Sequence, residues 1–116
     1  DLDTFIAKSE VVKTAEILKE GIAIAFCPEG TDNSQVIAAQ AADTLVSITG
    51  INTSFVFSMQ NNDVLISGRS IGEENVQLIL ERLGGGGHAS IAGARLENIT
   101  FEKAKKKLLK AMDINK

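Results

Sequence analysis

The chain has 116 residues, carries a net charge of −3 and is 44% hydrophobic. This length suits one domain with a modest core, and the small acidic charge excludes a general attraction to nucleic acid, so any anion site must be local. A single Cys and a single His exclude an internal disulfide and leave too few soft ligands for a structural zinc site.

The N-terminal quarter predicts a helix followed by extended chain. Residues 2–11 form a short helix with one apolar side. Residues 14–26 are open to two interpretations, either two short strands that turn at Gly21 or a helix tail that runs into one strand. In either case residues 22–26 alternate with the period-2 pattern of a strand, and Pro28 ends it because it has no N–H to donate.

Residues 31–50 contain the clearest helix of the chain. Apolar and small side chains recur there at i, i+3, i+4 and i+7 spacing, namely Ser34, Ile37, Ala38, Ala41, Ala42, Leu45 and Ile48. Asp32, Asn33 or Ser34 caps its start. Gly50 stands where a left-handed residue commonly ends a helix. The alanines predict that this helix lies close against a sheet.

Residues 53–70 predict a β-hairpin. The first strand places three large apolar residues on one face, Phe55, Phe57 and Met59. The Asn pair at 61–62 tolerates the backbone geometry of a tight turn. Gly68 in the returning strand, residues 64–69, lets another backbone or a ligand approach closely.

The last third predicts a helix, a strand and a final helix. Residues 73–83 form an amphipathic helix that ends at a glycine run. Residues 93–98 form a strand, and residues 100–113 form a helix capped by Thr100. The element order predicts an α/β (α+β) fold, with a mixed sheet of about five strands flanked by helices. No repeat or linker interrupts it, so we expect a single domain over residues 1–116.

Four consecutive glycines, Gly84, Gly85, Gly86 and Gly87, stand directly before the only histidine, His88. They fit neither a dinucleotide fingerprint, which lies between a strand and a helix, nor a P-loop, which ends in Gly-Lys-Ser/Thr. One glycine is enough for a helix cap. The other three predict a loop whose N–H groups meet a phosphate, with the histidine as a side-chain donor. The alternative is a flexible connector.

Arg69 and Ser70 end the second strand of the predicted hairpin. The planar guanidinium suits bidentate phosphate binding. Taken alone, an arginine solvated at the rim of the sheet is the simpler interpretation. Arg69 becomes a candidate ligand residue if the sheet brings this strand end beside the glycine loop.

The remaining polar groups indicate no catalysis. Cys27 is expected to be structural, and Glu73 and Glu74 suit the first turn of a helix. A basic face on the last helix is expected to be solvated; it comprises Lys103, Lys105, Lys106, Lys107 and Lys110. No carboxylate cluster suits a catalytic metal, so we predict that the chain binds a phosphate without cleaving it and holds no catalytic residue, metal or cofactor.

The chain is also expected to lie away from the membrane. No apolar run approaches the roughly 18 residues that a spanning helix needs, and no signal peptide pattern is present. One free Cys suits a reducing, cytosolic setting. Because the sequence begins with Asp1 rather than Met, we expect a cytoplasmic fragment of a larger multidomain protein.

Beyond these patterns, the stretch VLISGRSIGEENVQLILERLGGGGHASIAGARL, residues 64–96, resembles the C-terminal associated domain of the DHH phosphoesterases. The shared features are an R-S strand end, an N-V-x-x-I helix, G-G-G-G-H and A-G-A. The upstream stretches GIAIAF and IAAQAADTLVSITGINTSFVFS are similar to cyclic-di-AMP phosphodiesterases of the membrane-bound GdpP type.

This resemblance implies a two-domain enzyme. A DHH domain, absent from this sequence, would carry the Asp and His ligands of a Mn²⁺ pair, and the associated domain would close over it to grip the substrate. The family's binding roles carry onto Arg69, Ser70, residues 84–87 and His88. The parent would be anchored in the cell membrane, and this fragment should hydrolyse nothing unaided.

Three functions therefore stay open. The first is the substrate-binding half of a phosphodiesterase that converts cyclic-di-AMP to linear pApA. The second is the corresponding domain of an oligoribonuclease or single-strand exonuclease, although the scarcity of aromatic residues disfavours base stacking. The third is a non-catalytic interaction or dimerisation domain. The expected partners are a cyclic dinucleotide or short oligonucleotide, the DHH domain of the same chain and, in the third case, a second copy.

Overall fold

A computed structural model describes residues 1–114, and within them the chain forms four helices and six strands. In chain order these are α1 (Leu2–Val12), β1 (Glu16–Lys19), β2 (Ile22–Phe26), α2 (Ser34–Val46), β3 (Thr53–Gln60), β4 (Asp63–Ser70), α3 (Val76–Glu81), β5 (Gly86–Gly87), β6 (Ile91–Leu96) and α4 (Phe101–Ala111). None of these helices is both long and apolar enough to cross a bilayer.

The strands form one mixed sheet in the order β1-β2-β3-β4-β6-β5. Only β2 and β3 run parallel, and the other neighbours are antiparallel. The predicted mixed sheet with flanking helices is confirmed, and residues 14–26 contribute two strands rather than a helix tail. The sixth strand comes from the glycine run itself, because Gly86 and Gly87 pair with Gly93 and Ala92 of β6.

The sheet has a core on each face. Phe55 and Phe57 of β3 point towards α3 and α4, where they pack with Leu80 and Leu108. Val56, between them in sequence, points to the opposite face and packs with α1 and α2. This alternation follows the period-2 geometry that the hairpin sequence predicted.

Helix α2 lies close against the sheet because its buried face is largely alanine. Ala38, Ala41 and Ala42 are fully buried, and the Ser54 hydroxyl of β3 donates to the Ala42 carbonyl at 2.8 Å. The helix ends at Val46, so the prediction that Ile48 continues its repeating face is wrong; Ile48 lies beyond the helix and is 41% exposed.

The predicted helix ends are partly confirmed. Thr100 caps α4 by accepting from the Lys103 N–H at 3.2 Å. Asn33 is the N-cap residue of α2 but makes no side-chain cap hydrogen bond. Helix α3 is shorter than the predicted 73–83, because the Asn75 side chain caps it by accepting from the Leu78 N–H at 3.0 Å.

Candidate phosphate-binding site

The glycine run begins as the cap of α3. Gly84 has a φ of +86°, its N–H donates to the Glu81 carbonyl at 3.0 Å, and the Gly85 N–H donates to the Leu80 carbonyl at 2.9 Å. This pair of hydrogen bonds is the Schellman motif, in which a left-handed residue closes the helix. Gly84 is therefore the one glycine that the helix cap needs.

Two further glycines are required by contact with β6. A Cβ at Gly85 would lie 2.7 Å from the Cβ of Ala94, and one at Gly87 would lie 2.7 Å from the Cα of Ala92. Gly87 also has a φ of +144°, which L side chains rarely adopt. The expectation that three glycines are in excess of what folding needs is therefore wrong for these two positions.

Gly86 is different from its three neighbours. A Cβ at this position would meet nothing within 4 Å, and its φ is not in the left-handed region. Neither sterics nor backbone strain therefore requires a glycine here. Gly86 pairs with Gly93, which pairs with Ser67 of β4, so a row of small residues crosses three strands.

The backbone N–H groups of the loop are only partly available to a ligand. Those of Gly84 and Gly85 bind the end of α3, and the His88 N–H donates to the Ile91 carbonyl at 2.7 Å. Since hydrogen-bonded and non-hydrogen-bonded pairs alternate in an antiparallel ladder, the Gly87 N–H points away from β6 towards the free edge of the sheet. The predicted exposure of N–H groups therefore applies to Gly87 and not to Gly85.

Arg69 and His88 lie in one row across the sheet. Arg69 of β4 pairs with Ile91 of β6, and Ile91 accepts the His88 N–H on its other side. With strands about 4.8 Å apart, the two Cα atoms are separated by roughly 10 Å. The sheet thus brings the strand end beside the glycine loop, which is the arrangement that the Arg69 hypothesis required.

The Arg69 guanidinium is held on the face of the sheet that α2 covers. Its Nε donates to Asp43 Oδ1 at 2.8 Å, its Nη1 donates to the Gly68 carbonyl at 2.9 Å, and the side chain is 14% exposed. Within residues 1–114 its Nη2 group has no hydrogen-bond partner. The terminal edge of the guanidinium is therefore the part that can meet a ligand.

Ser70 lies on the opposite face of the sheet from Arg69. It pairs with Thr53, is 6% exposed, and its hydroxyl accepts from the Gly72 N–H at 3.3 Å. The structure therefore does not place this hydroxyl with the other predicted site residues. Its main chain does reach the site, because the Ser70 N–H donates to the Ser90 carbonyl at 2.9 Å.

The loop that carries His88 is tied down on both sides. Besides the bond from Ser70, the Val76 N–H at the start of α3 donates to the Ala89 carbonyl at 3.0 Å. The His88 residue itself is exposed. The structure therefore presents the histidine to solvent from an ordered backbone.

An open cavity of about 460 Å³ adjoins the glycine loop. Its lining includes Gly84, Gly85 and Gly86 of the loop, Ser67 of β4 and Arg95 of β6. Arg95 is not among the predicted site residues, although its alternation with the buried Ala94 and Leu96 signals an outward-facing residue.

Arg95 is anchored to the β3–β4 turn. Its Nε donates to Asp63 Oδ2 and its Nη1 to Gln60 Oε1, both at 2.8 Å. Asp63 also accepts the Asn98 N–H at 2.8 Å. The Asn98 N–H and then the Arg95 guanidinium lower the pKa of the Asp63 carboxyl below its ordinary value.

The described residues supply no metal centre. Between residues 1 and 114, no three His, Cys, Asp or Glu side chains lie together in a way that could hold a metal ion. These residues do not fit a manganese pair. Cys27 is buried, and burial raises the pKa of its thiol, which suits the structural role predicted for it.

Comparison with protein families matches a DHHA1 domain over residues 19–114. The chain belongs to the DHHA1 domain family. This DHHA1 domain is 45% identical over 114 residues to the cyclic-di-AMP phosphodiesterase PdeA of Listeria monocytogenes, with 97% of this chain and 17% of that protein covered. It is 38% identical over 115 residues to the cyclic-di-AMP phosphodiesterase GdpP of Bacillus subtilis, with 97% and 18% covered. The predicted resemblance is confirmed, and the DHHA1 domain spans less than a fifth of these relatives.

Solved structures share the fold of the DHHA1 domain. An exopolyphosphatase-related protein from Bacteroides fragilis superposes with a TM-score of 0.77 at 19% identity, covering 97% of this chain and 35% of that one. RecJ from Thermus thermophilus, in complex with Mn²⁺, gives 0.60 at 15% identity, covering 98% and 17%. At these identities the likeness is one of fold.

Proposed function

We propose that this DHHA1 domain is the nucleotide- and phosphate-binding half of a metal-dependent phosphodiesterase that converts cyclic-di-AMP to linear pApA. The relatives named cyclic-di-AMP phosphodiesterases support the substrate class. The observation that carries the phosphate site is Gly86, a glycine with open space where its Cβ would be, next to the row that holds Arg69 and His88.

The proposed chemistry is binding. The terminal edge of Arg69, the His88 side chain and the Gly87 N–H donate hydrogen bonds to the phosphates of the substrate. Charge-assisted hydrogen bonds of this kind contribute about 1.5–3 kcal/mol each. The metal ions and the groups that cut the phosphodiester belong to a DHH domain of the same protein, in a parent anchored to the membrane with this domain on its cytoplasmic side.

The exonuclease alternative has less support from the aromatic residues. Phe26, Phe57 and Phe101 pack against one another in the core, and Phe55 is fully buried. Phe5 is exposed on α1. Single-strand binders commonly stack bases on exposed aromatic rings, and none of these five rings lines the cavity beside the glycines.

The packing alternative explains three of the four glycines. Gly84, Gly85 and Gly87 serve the helix cap and the contact with β6. It leaves Gly86 unexplained, so this residue distinguishes the packing hypothesis from the phosphate-binding hypothesis.

The test is an NMR titration of the 116-residue chain with AMP and with inorganic phosphate. Binding at the proposed site shifts the amides of Gly86, Gly87 and His88 and the side-chain Nε–H of Arg69. Val36 on the exposed side of α2 and Leu78 on α3 serve as internal controls, and their amide resonances are expected not to shift. If none of the site resonances shifts at millimolar ligand, the proposal is contradicted.

A further inference from the structure

Helix α2 is hydrogen-bonded to the sheet at the cross-strand pair that contains Arg69. Ser54 and Arg69 are directly paired across β3 and β4. Ser54 donates its hydroxyl to the Ala42 carbonyl at 2.8 Å, and Arg69 donates its Nε to Asp43 at 2.8 Å. Two consecutive helix residues are thus bound to one cross-strand pair.

These two hydrogen bonds depend on the alanine face of α2. Ala38, Ala41 and Ala42 are fully buried, so the helix backbone comes near enough for the short Ser54 side chain to reach it. The packing therefore sets where Asp43 stands relative to Arg69. The Asp43 side chain itself is 64% exposed, which means that no burial requirement explains its place.

We propose that Asp43 is a positioning residue for Arg69, an inference that rests on the proposed phosphate-binding function. The Asp43 carboxylate takes the Nε edge of the guanidinium while the Gly68 carbonyl takes one hydrogen of Nη1. The guanidinium is then held in one orientation, with Nη2 and the second hydrogen of Nη1 free to bind two phosphate oxygens.

The alternative is that Asp43 competes with the phosphate for Arg69. This repulsion is weak. An exposed carboxylate about 7 Å from a phosphate lowers the affinity for that phosphate only roughly twofold at physiological salt. Holding a flexible side chain in its binding orientation improves affinity by roughly three- to tenfold. Positioning therefore outweighs repulsion, and the two effects have opposite signs.

The test measures the affinity of the 116-residue chain for inorganic phosphate from the amide shifts of Gly86 and His88. Asp43→Ala is expected to weaken binding about three- to tenfold. Asp43→Asn keeps an oxygen that accepts from the Arg69 Nε, so it is expected to stay within about twofold of the unsubstituted chain. Asp32→Ala removes the same charge from an exposed residue before α2 and is expected to leave binding unchanged.

A second readout separates positioning from loss of structure. The Arg69 Nε–H resonance moves towards the position of a free arginine in Asp43→Ala and keeps its position in Asp43→Asn. The thermal unfolding midpoint of both variants is expected to change by no more than a few degrees, because the Asp43 carboxylate is 64% exposed and an ion pair with an exposed partner contributes little to stability.

Each result decides the inference. If Asp43→Ala binds phosphate as tightly as the unsubstituted chain, or more tightly, the positioning role is wrong. Equal losses in Asp43→Asn and Asp43→Ala would also overturn it, because the retained oxygen would then have no effect. If the unsubstituted chain itself shows no shifts with phosphate, the proposed function fails and the role of Asp43 falls with it.

Discussion

Gly85 lies so close to Ala94 that a Cβ on the glycine would stand 2.7 Å from the Cβ of the alanine. The same Cβ would also meet the Gly93 carbonyl oxygen, which belongs to the main chain and cannot rotate away. We therefore expect Gly85→Ala to lower the free energy of unfolding by about 3 kcal/mol. Urea denaturation followed by far-ultraviolet circular dichroism measures this change.

Gly86→Ala is the matched control for that experiment. It adds the same methyl group one residue later, where nothing lies within 4 Å. Its free energy of unfolding is expected to stay within about 0.5 kcal/mol of the unsubstituted value. Equal destabilisation by the two substitutions would show that the close contact with β6 is not what requires glycine at position 85.

Gly86→Val is expected to block phosphate binding while the domain stays folded. Valine suits an edge strand, and its side chain would stand on the face of the sheet over which the ligand is proposed to lie. We expect at least about a tenfold loss of affinity for inorganic phosphate, the size of one lost charge-assisted contact. Amide titration gives the affinity, and Gly86→Ala provides an intermediate step. Unchanged affinity in Gly86→Val would contradict a ligand position over this residue.

In the proposed full-length phosphodiesterase, Arg69→Ala is expected to lower the turnover of cyclic-di-AMP about 10- to 100-fold, because the proposed charge-assisted phosphate contact is lost. Steady-state kinetics with cyclic-di-AMP measures this. Arg82→Ala is the matched control, since Arg82 donates to the Ala111 carbonyl at the end of α4, away from Arg69. Normal kinetics in Arg69→Ala would rule out its phosphate role.

Asp63 is expected to make the stability of the domain depend on acid pH. The Asn98 N–H and Arg95 lower the pKa of the Asp63 carboxyl in the folded state. The ionised carboxylate therefore stabilises the fold above the unfolded pKa of about 3.9, and this stabilisation is lost as the pH falls through the folded pKa. Asp63→Asn should therefore be less stable than the unsubstituted chain at pH 7, with the gap closing on acidification. Unfolding free energies at pH 7 and below pH 4 measure this, and a gap independent of pH would argue against the ionised carboxylate as its cause.

The elements that carry a local residue pattern could be predicted from the sequence. The alanine spacing of α2 predicted close packing on a sheet, and the Asn pair between two apolar runs predicted the β3–β4 turn; both are confirmed. In contrast, no local pattern signals that Gly86 and Gly87 form a strand, because glycine has no side chain to alternate. Their pairing depends on β6, which follows later in the chain.

The site was predictable only in part for the same reason. Asp43 and Arg69 are 26 residues apart, so no spacing rule links them before the sheet and α2 are assembled. Ser70 is a different case. Neighbouring residues of a strand point to opposite faces, so the period-2 rule already separates its side chain from that of Arg69.

The backbone around His88 has a consequence for how a ligand would be captured. The Ala89 and Ser90 carbonyls accept hydrogen bonds from Val76 and Ser70, so the hairpin and α3 hold this loop before any ligand arrives. The conformational entropy of ordering it is then lost during folding rather than on binding. A phosphate at the proposed site would therefore meet a preorganised backbone and an Arg69 guanidinium already held by Asp43 and Gly68, so only the exposed imidazole would remain to be ordered by the ligand.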